Sequence, residues 1–199
     1  TAADKYSTYQ SLVNPASLTS KEGIHYGVSL FNMSLDRSIQ SLYFSKSLPG
    51  QAGLSIAIIR AGVDDIIGKD INNNYTRNLS SADYYGLLSF GLRTFGLTVK
   101  MHYSNLYVNE DQIESYSGNA ISIDFGWARD ITDKIRLGLK CQNCVSSDLK
   151  WNLEMPTIDN YTHSYSEKYP CIISGGFSTS LMTDIGQHKL FFQQNRISF

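Results

Sequence analysis

The sequence lacks long hydrophobic runs and any excess of basic charge. No stretch of its 199 residues approaches the roughly 20 consecutive apolar residues of a transmembrane helix. The net charge is −1 and the isoelectric point is near 6.4, so the chain has no electrostatic footprint for nucleic acid. The opening Thr1-Ala2-Ala3-Asp4 forms neither the basic nor the apolar region of a signal peptide. These absences exclude helical spans and argue against a nucleic-acid partner.

Cysteine is scarce, with three residues in the chain. Cys141-x-x-Cys144 has redox or metal spacing, but it ends a predicted strand and does not begin a helix, where a thiolate would be stabilised. A zinc site would need further ligands, and the nearest histidine, His163, lies in a long predicted loop. We therefore predict no metal. Free thiols and a disulfide between Cys144 and Cys171, closing the 145–170 loop, remain as alternatives.

Catalytic motifs are also missing. No serine or cysteine has a histidine and a carboxylate at a recognisable motif spacing. We therefore predict no enzyme activity and no cofactor.

The sequence does contain strong alternation of apolar and polar residues with a period of two. In one segment Leu97, Val99 and Met101 fall on one face, and Thr98 and Lys100 fall on the other. This period indicates amphipathic β-strands. The pattern predicts nine strands: Gly23–Met33, Ser38–Leu48, Gly53–Gly62, Ser81–Phe95, Leu97–Tyr107, Ala120–Ala128, Lys134–Gln142, Ile172–Leu181 and Lys189–Ile197.

The predicted connections alternate between short and long. Long loops fall at about 63–80, 108–119 and 144–170, whereas the turns between them are short and one of them is placed at Gly96. An outer-membrane barrel has this asymmetry, and its apolar face points to lipid. A soluble barrel or sandwich, with its apolar face inside, is the alternative. Aromatic residues favour the membrane interpretation, because Phe95 and Trp127 fall at short-turn ends and Tyr84, Tyr103 and Tyr107 at long-loop ends.

Charged residues recur on the polar face of the predicted strands. In a membrane barrel they would point into the lumen and indicate a hydrated or plugged interior. The predicted lumen-facing residues are Arg93, Lys100, His102, Asp124, Arg136 and Lys140.

The first 22 residues differ from the strands that follow. They predict an irregular or helical segment that ends in the turn Asn14-Pro15-Ala16. Ala2-Ala3-Asp4 followed by Asn14-Pro15-Ala16-Ser17-Leu18 resembles the start of the FadL-like outer-membrane β-barrels, and is most similar to their PorV/PorQ branch. The similarity continues at Ser47–Leu54, at Asp130–Leu139 and at Tyr169-Pro170 before Ser174-Gly175-Gly176-Phe177.

The resemblance implies an antiparallel up-and-down transmembrane β-barrel in the bacterial outer membrane, with residues 1–22 as a plug-like segment and 23–199 as strands. Family members are about twice as long, and nine is an odd number of strands, so we expect the chain to be a partial barrel. The branch implies a non-enzymatic protein that binds partners or cargo of a type IX-like secretion pathway. The wider family implies a channel for hydrophobic small molecules.

Loop aromatics are the predicted partner contacts, because lipid would cover the barrel wall and buried aromatics commonly dominate interfaces. They are Tyr107, Tyr116, Trp151 and Tyr165. Outer-membrane lipid and other secretion or surface proteins are thus the expected partners. A soluble barrel that binds a ligand inside its apolar face remains the third hypothesis.

Overall fold

A computed structural model of the chain shows an all-β protein built around one large antiparallel sheet. It describes residues 2–3, 9–20, 22–109, 114–153, 164–179, 184–185, 188–189 and 196–198. Within these described residues the sheet has 11 strands, and most neighbours in the chain are neighbours in the sheet. Among the described strands the sheet is open, with β1 at one edge and β13 at the other.

In the part of the chain that the structure describes, two short helices precede the strands. The helices are α1 (Gln10–Val13) and a 3₁₀ helix (Pro15–Ser20). The strands are β1 (Ile24–Met33), β2 (Arg37–Leu48), β3 (Ala52–Lys69), β4 (Tyr75–Leu92), β5 (Phe95–Asn109), β6 (Glu114–Thr132), β7 (Ile135–Ser146), β8 (Leu149–Leu153), β9 (Ser164–Glu167), β10 (Ile172–Thr179), β11 (Asp184–Ile185), β12 (His188–Lys189) and β13 (Arg196–Ser198). No helix in the described ranges has the length and apolar character needed to cross a membrane.

The first seven predicted strands correspond to β1–β7, and the eighth corresponds to β10. The ninth, Lys189–Ile197, lies mostly outside the described residues. The observed strands run further into the predicted loops, because β3 and β4 continue pairing from Ala52↔Leu92 to Lys69↔Tyr75. The predicted 144–170 loop likewise contains β8 and β9, which pair with each other, and β8 also pairs with β6.

The turn between β4 and β5 lies at Arg93–Thr94 and not at Gly96. Leu92 pairs with Phe95, and Arg93 takes a left-handed φ of 54°. Gly96 is a strand residue instead, paired with Gly91. Its missing side chain serves a packing contact that is described below.

The turn between β3 and β4 is held by Asp70. Its Oδ1 accepts hydrogen bonds from the backbone N–H groups of Asn74 and Asn72, both at 2.8 Å. These bonds, that of Asn74 first, stabilise the carboxylate and hold the pKa of Asp70 below its usual range. The predicted long loop at 63–80 is therefore a tight, capped turn between two long strands.

The alternation of the sequence is confirmed by the burial of the side chains. Apolar residues face outward from the sheet and remain exposed, as at Tyr26 (79 %) and Leu30 (72 %). The opposite face carries small and polar residues that are buried, such as Ser89 (0 %) and Thr98 (1 %). Burial is thus inverted with respect to a water-soluble sheet, in which apolar side chains leave water.

Residues 9–20 cover this buried polar face. Tyr9 and Leu12 pack against Tyr43, Ala57 and Leu87, which form a small apolar cluster on the inner side of β2–β4. Beyond this cluster the buried residues of the inner face are mainly polar. The described part of the protein therefore has an all-β wall with an N-terminal segment against its polar side.

Candidate functional site

At its short-turn end the polar face contains a row of glycines, one from each of five consecutive strands. Strand register places Gly53 opposite Gly91, Gly91 opposite Gly96 and Gly96 opposite Gly126. Gly138 continues the row on β7, two residues from Lys140, the partner of Gly126. These five residues are called the glycine row.

The N-terminal segment lies directly on the glycine row. A Cβ atom added at any of the five glycines would lie less than 3.0 Å from the segment. Real Cβ atoms are essentially never this close to another heavy atom, so an alanine would force the segment or the wall to move. Glycine here permits the backbone of one layer to approach the backbone of the other. The contacting groups are Leu18 O, Pro15 O, Ala16 N, Asn14 Oδ1 and Ala2 O.

Asn14 fixes the segment to the wall by hydrogen bonds. Its Nδ2 donates to the carbonyl oxygens of Ala2 (2.6 Å), Trp127 (3.1 Å) and Leu139 (3.3 Å). Its Oδ1 accepts from the Ala16 N–H at 3.1 Å. The residue is fully buried, so an aliphatic replacement would leave these backbone groups without their partner.

A charged cluster lies one layer further along the polar face. Asp124 is 2 % exposed and pairs with Lys100 at 2.7 Å and with Lys140 at 3.5 Å. Lys140 also donates to the Leu12 carbonyl oxygen at 2.8 Å, which ties the cluster to helix α1. A buried carboxylate with two ammonium groups is strongly dependent on its partners, because an unpaired charge in this position would be poorly solvated.

Asp124 also organises an irregularity in β7. Between the pairs Ile123↔Val145 and Phe125↔Cys141, Asp124 faces three residues of β7. At the centre of this bulge Asn143 has a left-handed φ of 52°, and its N–H donates to Asp124 Oδ1 at 2.9 Å. Lys100 Nζ donates to Asn143 Oδ1 at 2.6 Å. The buried charges therefore determine how the end of β7 is shaped.

A second polar cluster surrounds His102. The imidazole stacks on Tyr85 with ring centroids 4.3 Å apart. It also forms an edge-to-face contact with Tyr169, with ring centroids 5.4 Å apart. Its Nε2 lies 3.3 Å from Asp83 Oδ1. Ser104 Oγ donates to the same Asp83 oxygen. Serine, histidine and aspartate thus come together, although no sequence motif indicated it.

This cluster does not have the connectivity of a nucleophile and its base. In a catalytic triad the histidine lies between serine and carboxylate and accepts the serine proton. Here the Ser104 hydroxyl is bound to the carboxylate, and Asp83 lies between the other two residues. The arrangement is that of a structural hydrogen-bond network, and the prediction of no enzyme activity stays a prediction.

The structure places five of the six predicted lumen residues on the covered face. Lys100, Asp124 and Lys140 form the charged cluster, and His102 has the environment described above. Arg136 is buried and its Nη1 donates to Asp130 Oδ1 at 3.2 Å. Arg93 differs: it lies in the exposed turn between β4 and β5, where it lines a cavity of about 330 Å³ together with Arg136. The strand ends before Arg93 because Leu92 pairs directly with Phe95.

The four predicted partner-binding aromatics lie on strands at the end opposite to the short turns. Tyr107 and Tyr165 are exposed, at 47 % and 60 %. Trp151 is half-buried because its ring packs over Gly118, and its backbone pairs with that of Tyr165. Tyr116 is half-buried. Tyr107 and Tyr165 are therefore the most accessible of the four.

The cysteines pair differently from the Cys144–Cys171 disulfide that the sequence left as an alternative to free thiols. Cys141 and Cys144 are bonded to each other, and Cys171 is free and exposed. The reason is the bulge at Asn143, which brings the two ends of the Cys-x-x-Cys segment together with a Cα–Cα distance of 5.8 Å. All three sulfur atoms nevertheless lie within 4.8 Å of one another.

Sequence reasoning missed the glycine row. Each glycine occupies an inward position near a short turn of its strand, and this repetition is visible in the sequence once the strands are aligned in register. Glycines in isolated strands usually indicate bulges or bends, so their common purpose is apparent only from the sheet.

The glycine row leads to a first prediction. Gly126→Ala is expected to loosen residues 9–20, because its Cβ would overlap Asn14 and overpacking typically costs about 1–3 kcal/mol. Amide hydrogen exchange within residues 14–18 should accelerate roughly tenfold or more. Gly86→Ala is the matched control, since a Cβ at this strand glycine meets nothing within 4 Å. Equal exchange in both variants would contradict the packing role.

The charged cluster leads to a second prediction. Asp124→Ala should lower the free energy of unfolding by about 3 kcal/mol or more, because it leaves buried Lys140 and half-buried Lys100 without their counter-ion. Asp64→Ala is the control, since its 3.9 Å pair with Arg60 is solvent-exposed and should contribute less than about 1 kcal/mol. Reversible urea unfolding of the purified protein measures both. Similar losses would show that Asp124 has no special role.

Comparison with known proteins gives no matching family model, no matching curated protein and no matching solved structure. The functional argument therefore depends on the geometry of this chain.

Proposed function

We propose that this protein is a non-enzymatic outer-membrane β-barrel. Under this proposal it binds protein partners or cargo through the end of the sheet opposite to the short turns, in a type IX-like secretion or surface-attachment pathway. The observation that supports it best is the inverted burial of the sheet. A wide apolar surface faces outward, and the charged residues are enclosed behind it. Such a surface is favourable when hydrocarbon and not water is the solvent.

The height of the apolar surface supports the membrane proposal. Across β3–β6 the outward residues form rows in strict register: Ala52-Leu92-Phe95-Trp127, Leu54-Phe90-Leu97-Phe125, Ile56-Leu88-Val99-Ile123 and Ile58-Gly86-Met101-Ile121. The next row, Arg60-Tyr84-Tyr103-Asn119, is polar and aromatic. The four apolar rows, from Ala52 to Ile58, take seven residues of strand, and the band takes nine when the limiting row of Arg60 is included, against roughly 9–11 for one membrane crossing.

Aromatic residues lie at both limits of this band. Phe95 and Trp127 are cross-strand partners in the row beside the short turns. Tyr84 and Tyr103 are partners in the opposite row, with ring centroids 6.1 Å apart, and Arg60 lies over the Tyr84 ring at 5.9 Å. Amphipathic rings and a cation at the edges of an apolar band are typical of membrane interfaces.

The covered face favours partner binding over the two alternatives. A channel for hydrophobic solutes needs an apolar passage, whereas here residues 9–20 and the Asp124 cluster occupy the polar side. A soluble ligand-binding barrel needs its apolar residues inside, whereas they are exposed outside. Both alternatives therefore fit the observed outward apolar face and covered polar face less well than partner binding does.

The partner surface is assigned to the strand extensions beyond the apolar band. β3 and β4 each have 18 residues and β6 has 19, about twice what one crossing requires. Their outer halves, with β8 and β9, would stand in water on the long-loop side, where Tyr107 and Tyr165 are exposed. Exposed aromatics on paired strands are suitable anchors for a protein interface.

The membrane proposal gives a third prediction. The native protein should fractionate with the outer membrane and migrate differently on a gel before and after boiling. Recovery in the soluble fraction would overturn the proposal.

A pair of variants tests whether the apolar face of the sheet contacts lipid. Leu88→Arg, in the middle of the band, should lower stability in lipid by about 2–4 kcal/mol, whereas Phe95→Arg, at its edge, should cost about 0–1 kcal/mol. Both side chains are exposed, at 50 % and 65 %. If water covered this face, both changes would be tolerated alike.

Partner binding gives a fourth prediction. Tyr107→Ala combined with Tyr165→Ala should reduce the amount of co-purified surface or secretion proteins roughly tenfold or more, because the loss of one aromatic anchor commonly costs about 2 kcal/mol. Tyr26→Ala is the control, since Tyr26 is 79 % exposed but lies on the apolar face. Membrane recovery with unchanged co-purification would reject this surface and leave the membrane proposal intact.

A further inference from the structure

All three cysteines of the chain converge at one point of the sheet. Cys141 and Cys144 flank the bulge of β7, and Cys171 immediately precedes β10. Thirty residues separate Cys141 from Cys171, yet their Sγ atoms are 3.5 Å apart. The sequence offered the Cys-x-x-Cys pair and a loop disulfide as separate possibilities, whereas the fold brings the three sulfurs together.

Contacts other than the disulfide hold these residues in place. β7 and β10 pair through Cys141↔Ile173 and Gln142↔Ile172, so Cys171 follows the same register beside Asn143. Asn143 Nδ2 donates to the Pro170 carbonyl oxygen at 3.2 Å, and the Asn143 N–H is held by Asp124. The backbone on both sides of the sulfur cluster is therefore fixed by hydrogen bonds, and the sulfurs should stay together when the disulfide changes.

We propose that Cys141, Cys144 and Cys171 form a thiol–disulfide exchange site with Cys141 as the shared sulfur. The Cys171 thiol loses its proton to water, and the resulting thiolate attacks Cys141 Sγ. The Cys141–Cys171 bond forms as the Cys141–Cys144 bond breaks, and Cys144 leaves as a thiolate that takes up a proton. Two electrons stay in the disulfide throughout, so the step needs no oxidant or reductant.

The exchange changes what the disulfide constrains. The Cys141–Cys144 bond closes a loop within one bulge, with a sequence separation of three. The Cys141–Cys171 bond would join β7 to β10 and close the whole connection that contains β8 and β9. One thiol is free in either form: exposed Cys171 in the first and half-buried Cys144 in the second. The site thus moves a crosslink from a local turn to the base of the proposed partner surface.

The experiment maps the disulfides of the folded full-length protein. Wild type is incubated at pH 8 without any added thiol, quenched with acid, labelled with N-ethylmaleimide and digested without reduction. We expect two populations by mass spectrometry, one labelled at Cys171 and one at Cys144. Because the thiolate is the attacking species, their interconversion should slow when the pH is lowered.

Two variants make the assignment specific. Cys144→Ser incubated with oxidised glutathione should form the Cys141–Cys171 disulfide, and Cys171→Ser, the control, should keep the Cys141–Cys144 disulfide alone. Label confined to Cys171 in wild type at every time point would overturn the proposal. A Cys144–Cys171 disulfide would also overturn it, because Cys141 would then not be the shared sulfur. The wild-type mapping decides even if a variant fails to fold.

Discussion

The close backbone contact between residues 14–18 and the glycine row is the constraint on which the rest of the polar face depends. Five strands place a residue without a side chain at one level, and the segment fills the space that side chains would take. This contact positions Asn14 to bind carbonyl groups of β6 and β7. It also holds helix α1 where the Leu12 carbonyl can accept a hydrogen bond from Lys140. The segment that covers the polar face therefore also binds one of the charged residues on that face.

The charged cluster extends this link from the N-terminal segment to the far end of the wall. Asp124 binds two lysines and the Asn143 N–H, so one carboxylate connects α1, β5, β6 and the bulge of β7. The bulge in turn places Cys141 and Cys144 beside Cys171. A buried charge is costly without partners, so each charged group of the network requires a specific neighbour. In the proposed membrane setting the apolar outer face needs no such specificity, because packing against lipid requires only size and hydrophobicity.

Much of the sheet could be predicted from the sequence because period-two alternation acts through a local rule. The side chains of a strand alternate between faces whatever its neighbours are, so Leu97, Met101 and Ile121 could be assigned to a face without a structure. The limits of the strands were less predictable. Polar residues in β3, β4 and β6 resembled loops, yet they continue the sheet because cross-strand pairing does not require apolar side chains. Gly96 resembled a turn and proved to be a packing surface.

By itself, the sequence determined the antiparallel strands, their two unlike faces and an N-terminal segment of different character. Only the tertiary structure decided which inward residues meet. Gly53 and Gly138 are 85 positions apart in the sequence, and only strand register aligns them under one short segment. The same holds for Asp124 with its two lysines and for Cys171 with Cys141. Register depends on turns, bulges and pairing across the whole sheet, and these long-range relations are not encoded in any local pattern.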